Sequence, residues 1–282
     1  MKKAGILLLV FAFIFCMVNG ADDERGLKVN AIRKLNGDDG GIGKQWLVLV
    51  AISKYKEWPG LKNPVKDAKE LKSILTDRYY FDEVIELYDE QATAAGIRNL
   101  FMSLKNSVKP EDSVFMFYAG HGYLDENSNT GFWAPQDAGQ DEVLMDKWIP
   151  NSQIRGYISN IKIKHFALVS DSCFSGDILN VMRDKPPVMD DEKVKQAYKR
   201  LSRQALTAGA SETVPDESEF TKSLKNALIY NNKPYMDLYT LYSEIKTGVT
   251  KTVPLLGSFQ GTASQDGGSY ILFLKENKEE NK

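Results

Sequence analysis

The sequence predicts an α/β domain with a mostly parallel central sheet and helices on both faces. Three observations lead there. Apolar runs rich in β-branched and aromatic residues recur as "WLVLVAIS", "SVFMFY" and "HFALVS", without the polar alternation of a half-exposed strand, as expected for strands covered on both sides. Segments with apolar residues at helical spacing separate those runs, and strand–helix alternation is the pattern of a parallel sheet. At 282 residues and 43% hydrophobic content, the chain can bury such a core as one large domain.

The first twenty residues, "MKKAGILLLVFAFIFCMVNG", set Lys2 and Lys3 before an uncharged apolar stretch that ends in small or polar residues, the layout of a secretory signal peptide. Cleavage ahead of Ala21 is expected, with export to the periplasm or outside the cell. Membrane attachment is expected only if this segment stays uncut. The cut would also remove Cys16 and leave Cys173 as the single cysteine of the mature chain, so no internal disulfide can form. Residues 21–44 are charged, glycine-bearing and without sustained period, a flexible leader. The domain is expected over 45–276, and "ENKEENK" leaves 277–282 as a frayed tail.

Within the domain, "WLVLVAIS" (46–53) is the first strand. A loop with Pro59, Gly60 and Pro64 follows, then a helix over 65–75, where Val65, Ala68, Leu71, Ile74 and Leu75 share a face. "EVIELYD" (83–89) is a second strand, 94–108 a second helix and 113–118 a third strand ended by Gly120 and Gly122. A helix over 152–161 leads to the strand "HFALVS" (165–170), which runs into Asp171-Ser172-Cys173. Beyond it, 192–203 is a polar helix or loop, 204–210 a short strand, 218–230 and 236–245 helices, and 269–275 a closing strand. The stretch 181–203, rich in Lys, Arg and Asp and carrying Pro186-Pro187, is expected to contain a mobile loop open to nicking.

A formal net charge of −2 with both signs evenly mixed offers no basic stripe for phosphate backbones, so nucleic acid is not an expected partner. The informative features are two motifs of one design. "FYAGHG" (117–122) ends a buried strand in a histidine between glycines, and "ALVSDSCFSG" (167–176) ends another in a cysteine. In parallel α/β sheets, ligands bind beyond the carboxyl ends of the strands, so His121 and Cys173 should meet at one rim. A thiol of ordinary pKa is only a few per cent thiolate at neutral pH, and an imidazole beside it serves as base, then as acid toward a leaving amine. The N–H groups of Gly122 and Cys173 suit a developing oxyanion. His165, the only other histidine, begins a strand, lacks flanking glycines and reads as structural.

"YAGHG" and "DSCFSG" resemble the two active-site signatures of the caspase-fold cysteine peptidases, in particular the metacaspase-like branch. The likeness extends to "VKDAKELKSIL", "GFWAPQDA", "LTAGASE" and "ESEFTKSLKNAL", and covers roughly residues 45–276. It implies a caspase-like three-layer sandwich and a cysteine endopeptidase with a His121–Cys173 dyad. It also implies an acidic pocket, lined by Asp67 and Asp171, for the residue before the scissile bond. Buried carboxylates favour a cation, so the expected partners are proteins or peptides cut after Arg or Lys. A solvated helix position is the other reading of Asp67.

The resemblance further implies self-cleavage after a basic residue in 181–203, with Arg183, Lys185, Lys199 and Arg200 as candidates. The dyad requires no cofactor. Calcium activation occurs in the family; Asp146, with Asp141 and Glu142, is the candidate metal contributor here, but Thr130 and Asn180 stand where further carboxylates would be needed. Phe174 replaces the histidine that often follows the family's cysteine. A monomer is expected. Two other readings stay open: the same fold with a different specificity, for instance for acidic residues, and a catalytically silent peptide-binding scaffold.

Overall fold

The structure, a computed structural model, describes residues 42–141, 147–172, 179–181, 191–209 and 217–275. The segments proposed as signal peptide and tail, together with Asp146, Cys173, Arg183 and Lys185, lie outside the described residues.

A seven-stranded sheet forms the centre, in the order β2-β1-β3-β7-β9-β11-β8. Strands β1 (Gln45–Ala51), β2 (Glu83–Tyr88), β3 (Ser113–Ala119), β7 (His165–Asp171) and β9 (Ser202–Thr207) run parallel, whereas β11 (Leu255–Phe259) is antiparallel to β9 and to β8 (Leu179–Val181). The three strands expected to be covered on both faces, β1, β3 and β7, are buried at every position.

Period-two alternation divides the core into two layers. Leu47, Leu49 and Ala51 face helices α1 (Pro64–Arg78), α5 (Glu219–Tyr230) and α6 (Leu238–Thr247) through Leu71, Leu75, Leu224 and Leu241. Trp46, Val48 and Val50 face α2 (Ala94–Ser107) and α3 (Asn151–Ser159) through Ile97, Phe101, Ile154 and Ile158. The result is the expected three-layer sandwich. Helix starts are set by capping oxygens: Thr93 accepts from the Gly96 N–H at 3.0 Å, and Asp137 Oδ1 accepts from the Ala94 N–H at 2.8 Å. Among the described residues, no helix is long and apolar enough to cross a membrane.

The structure refines the sequence expectations in several places. Leu255–Phe259 adds a strand the sequence hides, since Gly257 and Ser258 dilute its apolar run and its pairing with β9 comes from the tertiary fold. The closing segment does not join the main sheet: β12 (Ile271–Phe273) pairs antiparallel with β10 (Tyr235–Asp237). The helix expected from 236 starts at Leu238, because Asp237 caps it by accepting from the Thr240 N–H at 2.6 Å. For residues 192–203 the helix, one of the two expected readings, is the one that forms. Helix α4 (Asp191–Lys199) spans most of them, and its buried Val194 and Tyr198 pack against Ile271 and Phe273 at helical spacing. Residues 42–44, assigned by sequence to the leader, are tied in: the Lys44 N–H donates to Asp112 Oδ1 at 2.8 Å, and Ile42 packs beside Tyr80.

Candidate active site

Chain order makes the crevice. From β1 the chain moves outward to β2, then crosses back over β1 to β3, so the loops leaving β1 and β3 diverge at a topological switch point, where ligands of open α/β sheets bind. The loop after β1, residues 53–63, is fixed at its root by Asp89, whose Oδ1 accepts from the N–H groups of Ser53 at 2.7 Å and Lys54 at 2.9 Å. That geometry holds Asp89 at a φ of 42°, a left-handed conformation that a non-glycine residue adopts only against strain.

His121 leaves β3 under close control. Its N–H donates to the Tyr55 hydroxyl at 2.7 Å, and its carbonyl accepts from the Tyr118 hydroxyl and the Ala134 N–H, both at 3.1 Å. The ring lies 4.8 Å from that of Tyr55 and 5.2 Å from that of Trp58. Nε2 is 2.8 Å from the Pro59 carbonyl. A carbonyl only accepts, so Nε2 carries the hydrogen and the Nδ1 lone pair is left to act as a base. Burial lowers the imidazole pKa, with the Pro59 carbonyl opposing, which keeps the ring neutral near pH 7. Glycine at 120 is a close-approach requirement: a Cβ there would meet the Tyr55 hydroxyl at 2.6 Å.

Gly122 opens β4 (Gly122–Asp125), which pairs with β5 (Thr130–Trp133), itself paired with β6 (Ile149–Pro150). This small sheet follows the histidine directly in the chain. The bond from Ala134 N–H to the His121 carbonyl makes Gly122 and Trp133 a non-hydrogen-bonded pair, so the Gly122 N–H points away from β5. The stacked Tyr118 and Trp133 rings, 3.7 Å apart at 8°, brace the turn from behind.

Strand β7 lies directly beside β3 with Ala119 opposite Asp171. His121 follows Ala119 by two residues and Cys173 follows Asp171 by two, so both motifs depart from neighbouring strands at one level of the sheet. Adjacent strands are about 4.8 Å apart. Ser172, the last described residue before the cysteine, is buried.

Asp171 is 9% exposed. The Thr221 hydroxyl donates to its Oδ2, while Oδ1 is buried with no hydrogen-bond partner among the described residues. Burial pushes the carboxyl up to about 6; the Thr221 and Ser218 hydroxyls oppose the rise, and the Asp67 charge adds to it. The two acidic residues named from sequence are therefore near one another. Asp67 lies in the first turn of α1 and forms an ion pair with Lys225.

Of the self-cleavage candidates, Lys199 ends α4, and Arg200 donates to the Asp266 carbonyl at 3.2 Å. Asp146 and Glu142, named from sequence as calcium contributors, lie outside the described residues; among the described residues no three His, Cys, Asp or Glu side chains gather at a metal site, and the Thr130 hydroxyl donates to the Ser128 carbonyl at 3.4 Å. A separate open pocket of about 410 Å³, lined by Asn129, Arg155 and Gln260 among others, shares no residue with the crevice.

Sequence reasoning missed Tyr55, Trp58 and Pro59 as the supports of His121. The aromatic-rich "YKEWPG" was the available signal. Lys225 and Thr221 gave none, since both occupy ordinary positions of an amphipathic helix.

A parallel sheet of this order, with a histidine turn and a cysteine motif leaving adjacent strands, is an arrangement of the caspase type. The family model of the caspase domain matches residues 44–260, and the chain belongs to that family. Similar curated proteins include metacaspase-1 of Lodderomyces elongisporus, 22% identical over 79% of this chain and 54% of its own length. Metacaspase-6 of Arabidopsis thaliana is 24% identical over 61% of this chain and 46% of its own length. The chain thus spans about half the length of these relatives. Caspase-1 from Spodoptera frugiperda superposes with a TM-score of 0.56 at 12% identity, covering 81% of this chain and 91% of that one. Protein GSU0716 from Geobacter sulfurreducens gives 0.55 at 14% identity, covering 80% and 99%. These two likenesses concern the fold.

Proposed function

We propose that this chain is a cysteine endopeptidase that cleaves after Arg or Lys with Cys173 as nucleophile and His121 as its base. The observation that carries the reading is the register of β3 against β7, with Ala119 opposite Asp171 and each motif two residues further on.

In this mechanism Nδ1 of His121 takes the thiol proton as sulfur attacks the peptide carbonyl carbon. A C–S bond forms and the carbonyl electron pair moves onto oxygen, where the N–H groups of Gly122 and Cys173 receive it. Collapse of the intermediate breaks the C–N bond, the imidazolium protonates the leaving amine, and a thioester remains. His121 then deprotonates a water that attacks the thioester, returning the thiol. The Pro59 carbonyl fixes the tautomer throughout.

The preference for a basic side chain follows from Asp171, whose unpartnered Oδ1 gains an ion pair when a guanidinium or ammonium arrives. Self-processing is part of the proposal at Arg183 or Lys185. Lys199 and Arg200 are poorer sites, because a cleft that binds extended chain would have to unwind the end of α4. Export remains proposed on Lys2, Lys3 and the apolar run that follows.

A panel of fluorogenic peptides differing in the residue before the cut tests the reading. Arg and Lys peptides are expected to be turned over, and Cys173→Ala and His121→Ala each to lose at least about a thousandfold in kcat. A preference for Asp peptides, or equal turnover by Cys173→Ala, overturns it.

A further inference from the structure

The acidic residues named from sequence already have a cation beside them. Lys225 Nζ, on α5, lies 2.8 Å from Asp67 Oδ1 and 2.6 Å from Glu70 Oε2, and the side chains of Lys225 and Asp67 are each 17% exposed. Burial lowers the lysine pKa, but Asp67 and Glu70 outweigh it and the net shift is upward, so the group is a full ammonium. Lys225 stands one helical turn beyond Thr221, the residue that donates to Asp171 Oδ2. Thus Asp171, Thr221, Lys225 and Asp67 follow one another in series, through a hydrogen bond, a helical turn and an ion pair. The ammonium serves Asp67 and Glu70, whereas Oδ1 of Asp171 is left without a partner among the described residues.

We propose that Lys225 is a specificity-determining residue, a resident ammonium that competes with the cationic side chain of a substrate for Asp67 and leaves Asp171 as the carboxylate of this pair open to it. The inference rests on the peptidase reading above and adds to it the device that limits basic selectivity. A substrate cation reaching Asp67 must displace Lys225 or share the carboxylate with it, and sharing sets two like charges side by side. With Asp171 Oδ2 already accepting from Thr221, a guanidinium that pairs with both oxygens must share Oδ2 with that hydroxyl, which weakens the second prong. Removing the lysine charge releases Asp67 as a second acceptor.

The test compares Lys225→Met with Lys225→Arg in the full chain. For an Arg peptide, KM is expected to fall about fivefold in Lys225→Met, the size of a partly exposed ion pair, and to stay near wild type in Lys225→Arg. KM for the matched citrulline peptide, neutral and nearly isosteric, should not move. Should Lys225→Met fold poorly, the double variant Lys225→Met with Glu70→Gln removes cation and carboxylate together and carries the same expectation. An Arg-peptide KM that is unchanged or raised overturns the proposal. A second readout does not depend on turnover: calorimetric binding of agmatine to Cys173→Ala should tighten about fivefold when Lys225→Met is added. Equal binding, or none in either protein, overturns the inference. Failure of the peptidase reading has a different signature, a wild-type protein that cleaves no peptide while the agmatine difference persists.

Discussion

At the scale of the residue, Asp171 and His121 carry opposite consequences of burial. The Asp171 carboxyl, pushed up to about 6 chiefly by desolvation, holds its proton longer in the folded protein than in the unfolded chain. The unfolded chain therefore ionises first, and this residue costs stability as pH rises from about 4 to 6, on the order of 2–3 kcal/mol at neutral pH. Asp171→Asn is expected to raise the melting temperature at pH 7.5, to show little gain at pH 4, and to lose the preference for basic peptides. For His121, burial lowers the imidazole pKa, so the acid limb of kcat/KM should fall below pH 6.5. Trp58→Ala, which opens that ring to water, should move the limb upward in a pH–rate profile. His121 and Cys173 were legible as letters because glycines and buried strands frame them. Lys225 was not, because its meeting with Asp67 joins positions 158 residues apart, and nothing in an ordinary helical lysine announces its acceptor.

The elements that matter most are the two loops that hold the imidazole. The loop after β1 brings Tyr55 and Pro59 to His121, and Asp89 pins its root through two backbone N–H groups. Gly120→Ala would drive a methyl group into the Tyr55 phenol, and kcat should fall at least tenfold with little change in the circular dichroism spectrum. If the damage runs through that phenol, Tyr55→Phe will also lose activity, and the double variant will be scarcely worse than Gly120→Ala alone. Asp89→Ala should loosen the same loop, seen as faster amide exchange at Ser53 and Lys54. The strands β1, β3 and β7 could be read from sequence because burial on both faces writes an uninterrupted apolar run. By contrast, β4 and β5 span four residues each and β11 contains Gly257 and Ser258. Their pairing is decided by neighbours rather than by local preference.

Across the whole molecule, the layer order and the family were legible because strand–helix alternation leaves few ways to cover a parallel sheet. The antiparallel edge and the separate β10–β12 pair were not, since long-range pairing alone specifies them. The global pH response should reflect His165, buried between the Ser202 hydroxyl and the Tyr198 carbonyl. Burial pulls its imidazole down to about 3, so the unfolded chain takes up this proton near pH 6.5 and the folded protein only near 3. Stability therefore drops as pH falls through that window. In His165→Gln the slope of unfolding free energy against pH between 6 and 4 should flatten by up to about one proton, measured from urea midpoints.

The neighbouring placement of β3 and β7 also sets a timetable. Their first paired residues, Ser113 and His165, are 52 positions apart, so the entropy of closing that long excursion must be overcome before the rim exists at all. A chain still emerging from the ribosome presents the imidazole turn long before the sulfur-bearing strand can dock beside it. Under the proposed peptidase reading, competence to cut therefore arrives only once β7 has docked beside β3.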